Sequence, residues 1–252
     1  MLWLVGLPPS LDLIPPKVVR VCRKASRVLL ERYTNYPWIK TEELSNLFKR
    51  EIEEVSREYL ENKSEAIVKS AKAENIVILS FGNPLVATTH YSLILECQRS
   101  KIKFDIIHSP SIFDFVLETG LHFYKFGITV SIPFREKVAL PFSVYEKVKK
   151  NLKAGAHTLI LLDASPEEGR YMSIKEALNI LLELEQRIKE GLFSEEKRLL
   201  ACSRLGTPER KIVYGEIKKL MEIDIGPPPY CLVYPASLHF TEKEALQKFE
   251  II

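Results

Sequence analysis

Four short stretches of this chain combine turn-forming residues with groups able to hold a ligand: Gly6-Leu7-Pro8-Pro9-Ser10, Gly82-Asn83-Pro84-Leu85-Val86, His108-Ser109-Pro110-Ser111-Ile112-Phe113 and Asp163-Ala164-Ser165-Pro166. Each follows an apolar run of strand character. A turn leading from a strand into a helix leaves main-chain N–H groups without partners, and such groups hold carboxylates and phosphates. These loops are the candidate ligand contacts, although any parallel α/β fold has loops of this kind, so spacing alone does not name the ligand. Metal and redox chemistry find little support. Cys22, Cys97, Cys202 and Cys231 form no Cys-x-x-Cys pair, and the five histidines show no ligand spacing; four reduced, mostly buried thiols are expected. A nicotinamide cofactor is also disfavoured. Leu2–Leu7, a helix and Glu31 outline part of a dinucleotide-binding unit, but Pro8-Pro9 stands where its glycines belong.

The elements that must carry these loops can be read from periodicity. Strands are predicted at Leu2–Leu7, Val28–Tyr33, Ile52–Val55, Ile76–Phe81 and Phe104–Ile107, with helices at Pro16–Lys24, Thr41–Lys49, Ser64–Ala73 and Val86–Arg99. Ile76–Phe81 is almost continuously apolar, as befits a strand buried on both faces. The alternation implies a mostly parallel five-stranded sheet with helices on both faces. Beyond it, Ile128–Ile132, Thr158–Leu162, Leu199–Ser203 and Cys231–Tyr234 read as strands, and Pro133–Pro141 as an irregular loop. Ser173 and Glu176 form a capping box for a helix Ile174–Lys189, whose stripe Ile174, Ala177, Leu178, Leu181, Leu184 and Ile188 is core. Thr241 with Glu244 is expected to cap a final helix. The expected lobes are 1–110 and 111–252.

Composition bounds the function. The 252 residues are 46% hydrophobic and 27% charged, a globular profile with a sizeable core. The net charge of +3 is the small difference between 36 basic and 33 acidic residues. So balanced a surface gives no field for nucleic acid. The apolar runs are too short to cross a bilayer, and a cytoplasmic location is expected.

The turn Gly82-Asn83-Pro84-Leu85-Val86-Ala87-Thr88-Thr89-His90, followed by His108-Ser109-Pro110-Ser111-Ile112 and Gly120-Leu121-His122-Phe123-Tyr124-Lys125-Phe126-Gly127, resembles the central signature of the diphthine synthases, of archaeal type. These belong to the tetrapyrrole-methylase-like S-adenosylmethionine enzymes. The likeness continues through His157–Asp163, Tyr171-Met172, Arg204-Leu205-Gly206 and Pro228-Pro229-Tyr230, and so covers most of the chain. It implies two α/β lobes of the tetrapyrrole methylase type, a cofactor cleft between them, and a homodimer. It also implies transfer of methyl groups from S-adenosylmethionine to the amine of an aminocarboxypropyl-histidine on translation elongation factor 2, in diphthamide biosynthesis. Methylation of a tetrapyrrole and a noncatalytic binding or regulatory role are the alternatives.

By the same resemblance the cofactor contacts are Pro9, Asn83, Val86, Ser111, Ile112, Leu162, Leu205 and Tyr230. Two departures stand out. The family's Gly-Leu-Gly-Leu is Gly6-Leu7-Pro8-Pro9 here, and proline neither donates a hydrogen bond nor allows positive φ. The family's Gly-Asp-Pro is Gly82-Asn83-Pro84, which keeps an acceptor and loses a charge. Methyl transfer from a sulfonium needs alignment and exclusion of water more than a dedicated base, so no catalytic acid or base is assigned. His108 and His122 read as structural rings, Tyr124 and Phe126 as packing groups with faces open to a methylated cation. Lys125 either meets an anionic group of the protein substrate or is solvated. Thr88, Thr89 and His90 are expected just inside a helix start.

Overall fold

A computed structural model describes residues 1–251, which divide into two units: Met1–Ile112 with Ser165–Gly169, and Phe113–Ala164 with Arg170 onward. In the first unit the order is β1 (Leu2–Leu7), α1 (Pro16–Lys24), β2 (Arg27–Glu31), α2 (Thr41–Phe48), β3 (Glu53–Val55), α3 (Arg57–Asn62), α4 (Ser64–Ser70), β4 (Ile76–Phe81), α5 (Tyr91–Arg99) and β5 (Phe104–Ile107). Every strand pair is parallel, in the order β3-β2-β4-β1-β5. All six residues of β4 are buried, and the two-residue strand period sorts its side chains between two cores. Val77, Leu79 and Phe81 meet Val18 and Cys22 of α1 and Leu44 and Phe48 of α2 on one face. Ile76 and Ile78 meet Leu60, Ile67, Val68, Leu93 and Cys97, from α3, α4 and α5, on the other. Helices therefore cover both faces, as the strand–helix alternation implies.

The second unit contains α6 (Ile112–Phe115, shared with the unit boundary), β6 (Val130–Ile132), α7 (Phe142–Lys153), β7 (Thr158–Leu162), β8 (Ala164–Ser165, likewise shared with the boundary), β9 (Arg170–Tyr171), α8 (Ile174–Ile188), β10 (Arg198–Ser203), β11 (Lys211–Glu216), α9 (Ile217–Leu220), β12 (Tyr230–Tyr234) and α10 (Phe240–Gln247). Its main sheet is mixed, ordered β11-β10-β12-β7-β6, with β6 and β7 the parallel pair. The expected stripe of α8 is core: Ile174, Ala177, Leu178, Leu181 and Leu184 are buried with Val148 of α7 and Leu220 of α9, and Ile188 is partly buried against them. Ser173 and Glu176 form the anticipated capping box. All four cysteines are free and buried.

Several local expectations are corrected. β2 stops at Glu31 rather than Tyr33, because the Glu31 carboxylate accepts the N–H groups of Tyr33 at 3.1 Å and Thr34 at 3.0 Å and turns the chain. α5 begins at Tyr91, not Val86. Ala87 has φ +55°, and the Thr88 hydroxyl donates to the Pro84 carbonyl at 2.7 Å. A hydroxyl that satisfies local backbone competes with the helix ladder, so Thr88 and Thr89 lie in the turn and His90 stands at the N-cap position of α5, its ring turned to the Pro84 carbonyl instead of to the helix. α10 is capped by His239 with Glu242, not by Thr241 with Glu244. α3, α6, α7, α9, β8, β9 and β11 have no counterpart among the elements expected from the sequence.

Candidate functional site

The first unit gathers three of the four candidate loops at one place. β1 lies between β4 and β5; the chain leaves β1 toward β2 and leaves β4 toward β5, in opposite directions across the sheet. Adjacent strands whose connections part in this way open a crevice at their carboxyl ends. Gly6 marks its floor. A Cβ built there would sit 2.4 Å from the Gly82 carbonyl oxygen, 2.8 Å from the Ser109 Cβ and 2.9 Å from the Ser109 nitrogen. Backbone from all three loops therefore meets at a residue that must be glycine.

The Gly82 turn is held from several sides. Its N–H donates to the Leu7 carbonyl at 2.8 Å, with Gly82 at φ +78°. The Asn35 amide donates to the Phe81 carbonyl at 3.2 Å. Asn83 Oδ1 accepts the Leu85 N–H at 3.1 Å and lies 3.3 Å from His108 Nδ1. The Val86 N–H donates to the Asn83 carbonyl at 3.1 Å. The side chain and carbonyl of Asn83 thus both fold the turn. Close by, the hydroxyls of Ser80 and Ser109 are buried with no hydrogen-bond partner among the described residues, which is costly unless something else satisfies them.

The eight sequence-derived contacts fall into two groups. Pro9, Asn83, Val86 and Ile112 are half-buried and Ser111 buried at the carboxyl edge of the first sheet. Pro8 is buried directly after β1, so the two prolines withhold the amides that glycines would offer. In the second unit Leu162 ends β7 and Tyr230 opens β12, their neighbours Leu161 and Cys231 being paired. Tyr230 also pairs with Ser203, the last residue of β10, two positions before buried Leu205. These three share one edge of the mixed sheet. Tyr230 donates its hydroxyl to the Gly226 carbonyl at 2.6 Å.

Other residues singled out in the sequence have structural roles. Lys125, half-buried, is held within the chain: its Nζ lies 2.5 Å from Glu242 Oε2 and 2.6 Å from the Ser237 carbonyl. Glu242, absent from the sequence reading, is completely buried and accepts the N–H groups of His122 at 2.9 Å and His239 at 2.8 Å, and meets His157 Nε2 at 3.0 Å. Burial pushes its carboxyl up, but these donors and the Lys125 ammonium outweigh it and hold the group at about 2. A charged residue in the polar pattern of an exposed helix carried no signal of this. Tyr124 is almost wholly exposed, at 96%, not core.

The fold is that of an α/β protein whose first unit opens a crevice at the carboxyl edge of a parallel sheet. The profile of the Tetrapyrrole (Corrin/Porphyrin) Methylases matches residues 1–221, and the chain belongs to this family. It is 39% identical over 234 residues to diphthine synthase of Methanocaldococcus jannaschii, covering 92% of this chain and 91% of the relative. To the diphthine methyl ester synthase of Aspergillus fumigatus it is 34% identical over 268 residues, covering 100% and 94%. A crystal structure of diphthine synthase superposes with a TM-score of 0.89 at 30% identity over 99% of this chain and 95% of that one. Within the family the chain groups with the diphthine synthases, S-adenosylmethionine-dependent methyltransferases of diphthamide biosynthesis.

Proposed function

We propose that this protein methylates the amine of the aminocarboxypropyl-histidine intermediate on translation elongation factor 2, and that it does so as a homodimer. The observation that carries the reading is the convergence at Gly6, where a side chain is forbidden and two buried serine hydroxyls beside the Gly82 turn lack partners among the described residues. Such a crevice fits a donor with an amino-acid end and ribose hydroxyls. Pro9, Asn83, Val86, Ser111 and Ile112 would hold it at the edge of the first sheet.

S-adenosylmethionine supplies a methyl group already activated by its sulfonium. The protein's part is then positional. Asn83 keeps its side-chain carbonyl at the turn, where a neutral acceptor meets an ammonium or sulfonium through a hydrogen bond or dipole, not a full charge. The buried walls from β1 and β4 exclude water, which strengthens each polar contact. The acceptor amine is reactive only when neutral, and solvent takes its proton before the complex closes, so no side chain need act as base.

The test is the intact mass of elongation factor 2 bearing the aminocarboxypropyl histidine after incubation with protein and S-adenosylmethionine. A gain of whole methyl increments is expected. No gain at saturating cofactor, with the protein folded, would favour the noncatalytic reading.

A further inference from the structure

Behind the Gly82 turn lies a cluster of ionisable groups that the chemistry above does not use. Glu31 ends β2 with 1% exposure, His90 stands just before α5 with 2%, and Tyr33 lies beside them with 6%. Glu31 Oε2 carries the N–H groups of Tyr33 and Thr34, while Oε1 is buried with no hydrogen-bond partner among the described residues, 4.0 Å from His90 Nε2. The Tyr33 hydroxyl is 3.5 Å from the same nitrogen. The other ring nitrogen, His90 Nδ1, is 3.0 Å from the Pro84 carbonyl. A carbonyl only accepts, so the ring proton sits on Nδ1 and Nε2 is the acceptor for the hydroxyl. Burial lowers the pKa of His90 and keeps the ring neutral, in keeping with that assignment.

We propose that Glu31, Tyr33 and His90 are positioning residues for the methyl-donor turn: a buried brace running from the end of β2 to the Pro84 carbonyl. This rests on the reading of Gly82–Val86 as a cofactor contact. The brace acts on both flanks of the turn. Glu31 folds the Tyr33–Asn35 bend, whose Asn35 amide holds the Phe81 carbonyl just before Gly82. His90 holds the Pro84 carbonyl just after Asn83. Neither Glu31 nor His90 is exposed enough to touch a ligand itself.

The brace is separable from bulk packing by two replacements of equal polarity. In His90→Asn the amide nitrogen falls where Nδ1 was and keeps the Pro84 bond. In His90→Gln it falls where Nε2 was and abandons that bond. Hydrogen exchange of the Leu85 and Val86 amides, followed without ligand, should quicken about tenfold in His90→Gln and stay near wild type in His90→Asn, the loss expected for one buried hydrogen bond. The Kd for S-adenosylmethionine by calorimetry should follow the same order, with thermal melting measured beside it. Should His90→Gln fail to fold, Tyr33→Phe makes the comparison by removing only the hydroxyl, with exchange a few-fold faster expected. Equal exchange in the variant that loses its contact and in wild type would overturn the brace. Absence of binding heat in wild type would instead count against the methyl-donor reading, while exchange still decides the brace.

Discussion

On the proposed cofactor reading, Asn83 and Gly6 set what the crevice can bind, and each invites a single change. Asn83 spends its Oδ1 on the Leu85 N–H and stands 3.3 Å from His108 Nδ1. Asn83→Asp keeps that geometry and adds a charge facing a cationic donor. A charge-assisted bond is stronger than a neutral one by about 1–2 kcal/mol. Calorimetry should therefore show S-adenosylmethionine bound roughly tenfold more tightly. Gly6→Ala works the other way. Its methyl would overlap the Gly82 carbonyl, at 2.4 Å, forcing backbone to move at the meeting of three loops. We expect stability lower by about 1–3 kcal/mol, the usual cost of overpacking, and no measurable cofactor binding by the same calorimetry.

At the scale of elements, two buried carboxylates act in opposite senses. Glu242 ties α10 to the segment around Lys125 and to His157. Its pKa lies below its ordinary 4.5, at about 2, so its stabilisation is complete above pH 4.5 and disappears as pH falls toward 2. Glu242→Ala leaves the Lys125 ammonium and His157 without their partner and should cost about 3–5 kcal/mol in urea unfolding at neutral pH. Glu31 behaves differently. Burial raises it to about 7 against the pull of the Thr34 and Tyr33 N–H groups and the Arg57 guanidinium. The folded state thus holds a proton that the unfolded chain releases near 4.5. The penalty begins as pH rises past 4.5 and is complete above 7, where it amounts to about 3 kcal/mol. Glu31→Gln removes the titration, so its stability relative to wild type should rise by that amount from pH 4.5 to 8; a flat difference would show Glu31 to be unperturbed. The groups facing this carboxylate include His90 and Tyr33, and Glu61 and Glu167 act on Tyr33.

For the molecule as a whole, the expected signature of function is linkage between cofactor and stability. A ligand at 100-fold its Kd adds about 2.7 kcal/mol to the state that binds it. Saturating S-adenosylmethionine should raise the unfolding midpoint of wild type and leave Gly6→Ala where it was. An equal rise in both would place the ligand away from the crevice.

Much of this architecture is legible in local sequence because it depends on short-range regularities. Alternation and turn signals locate β1 and β7 to the residue and mark the buried β4, and the Ser173 and Glu176 pair locates the start of α8. The likeness over Gly82–His90 points to the family, which the relatives bear out. Contacts between distant positions leave no such trace. That α5 starts only at Tyr91 follows from side chains of Thr88 and His90 satisfying the Pro84 carbonyl. That Lys125 is a structural cation follows from a carboxylate 117 positions away. The approach of Gly82 and Ser109 to Gly6, and the buried meeting of Glu31 with His90, exist only once parallel strands bring separated segments to one edge. Pattern reports which face of an element is apolar; only packing decides which polar groups meet there, because the cost of burying a charge or an N–H is set by partners that the chain supplies from elsewhere.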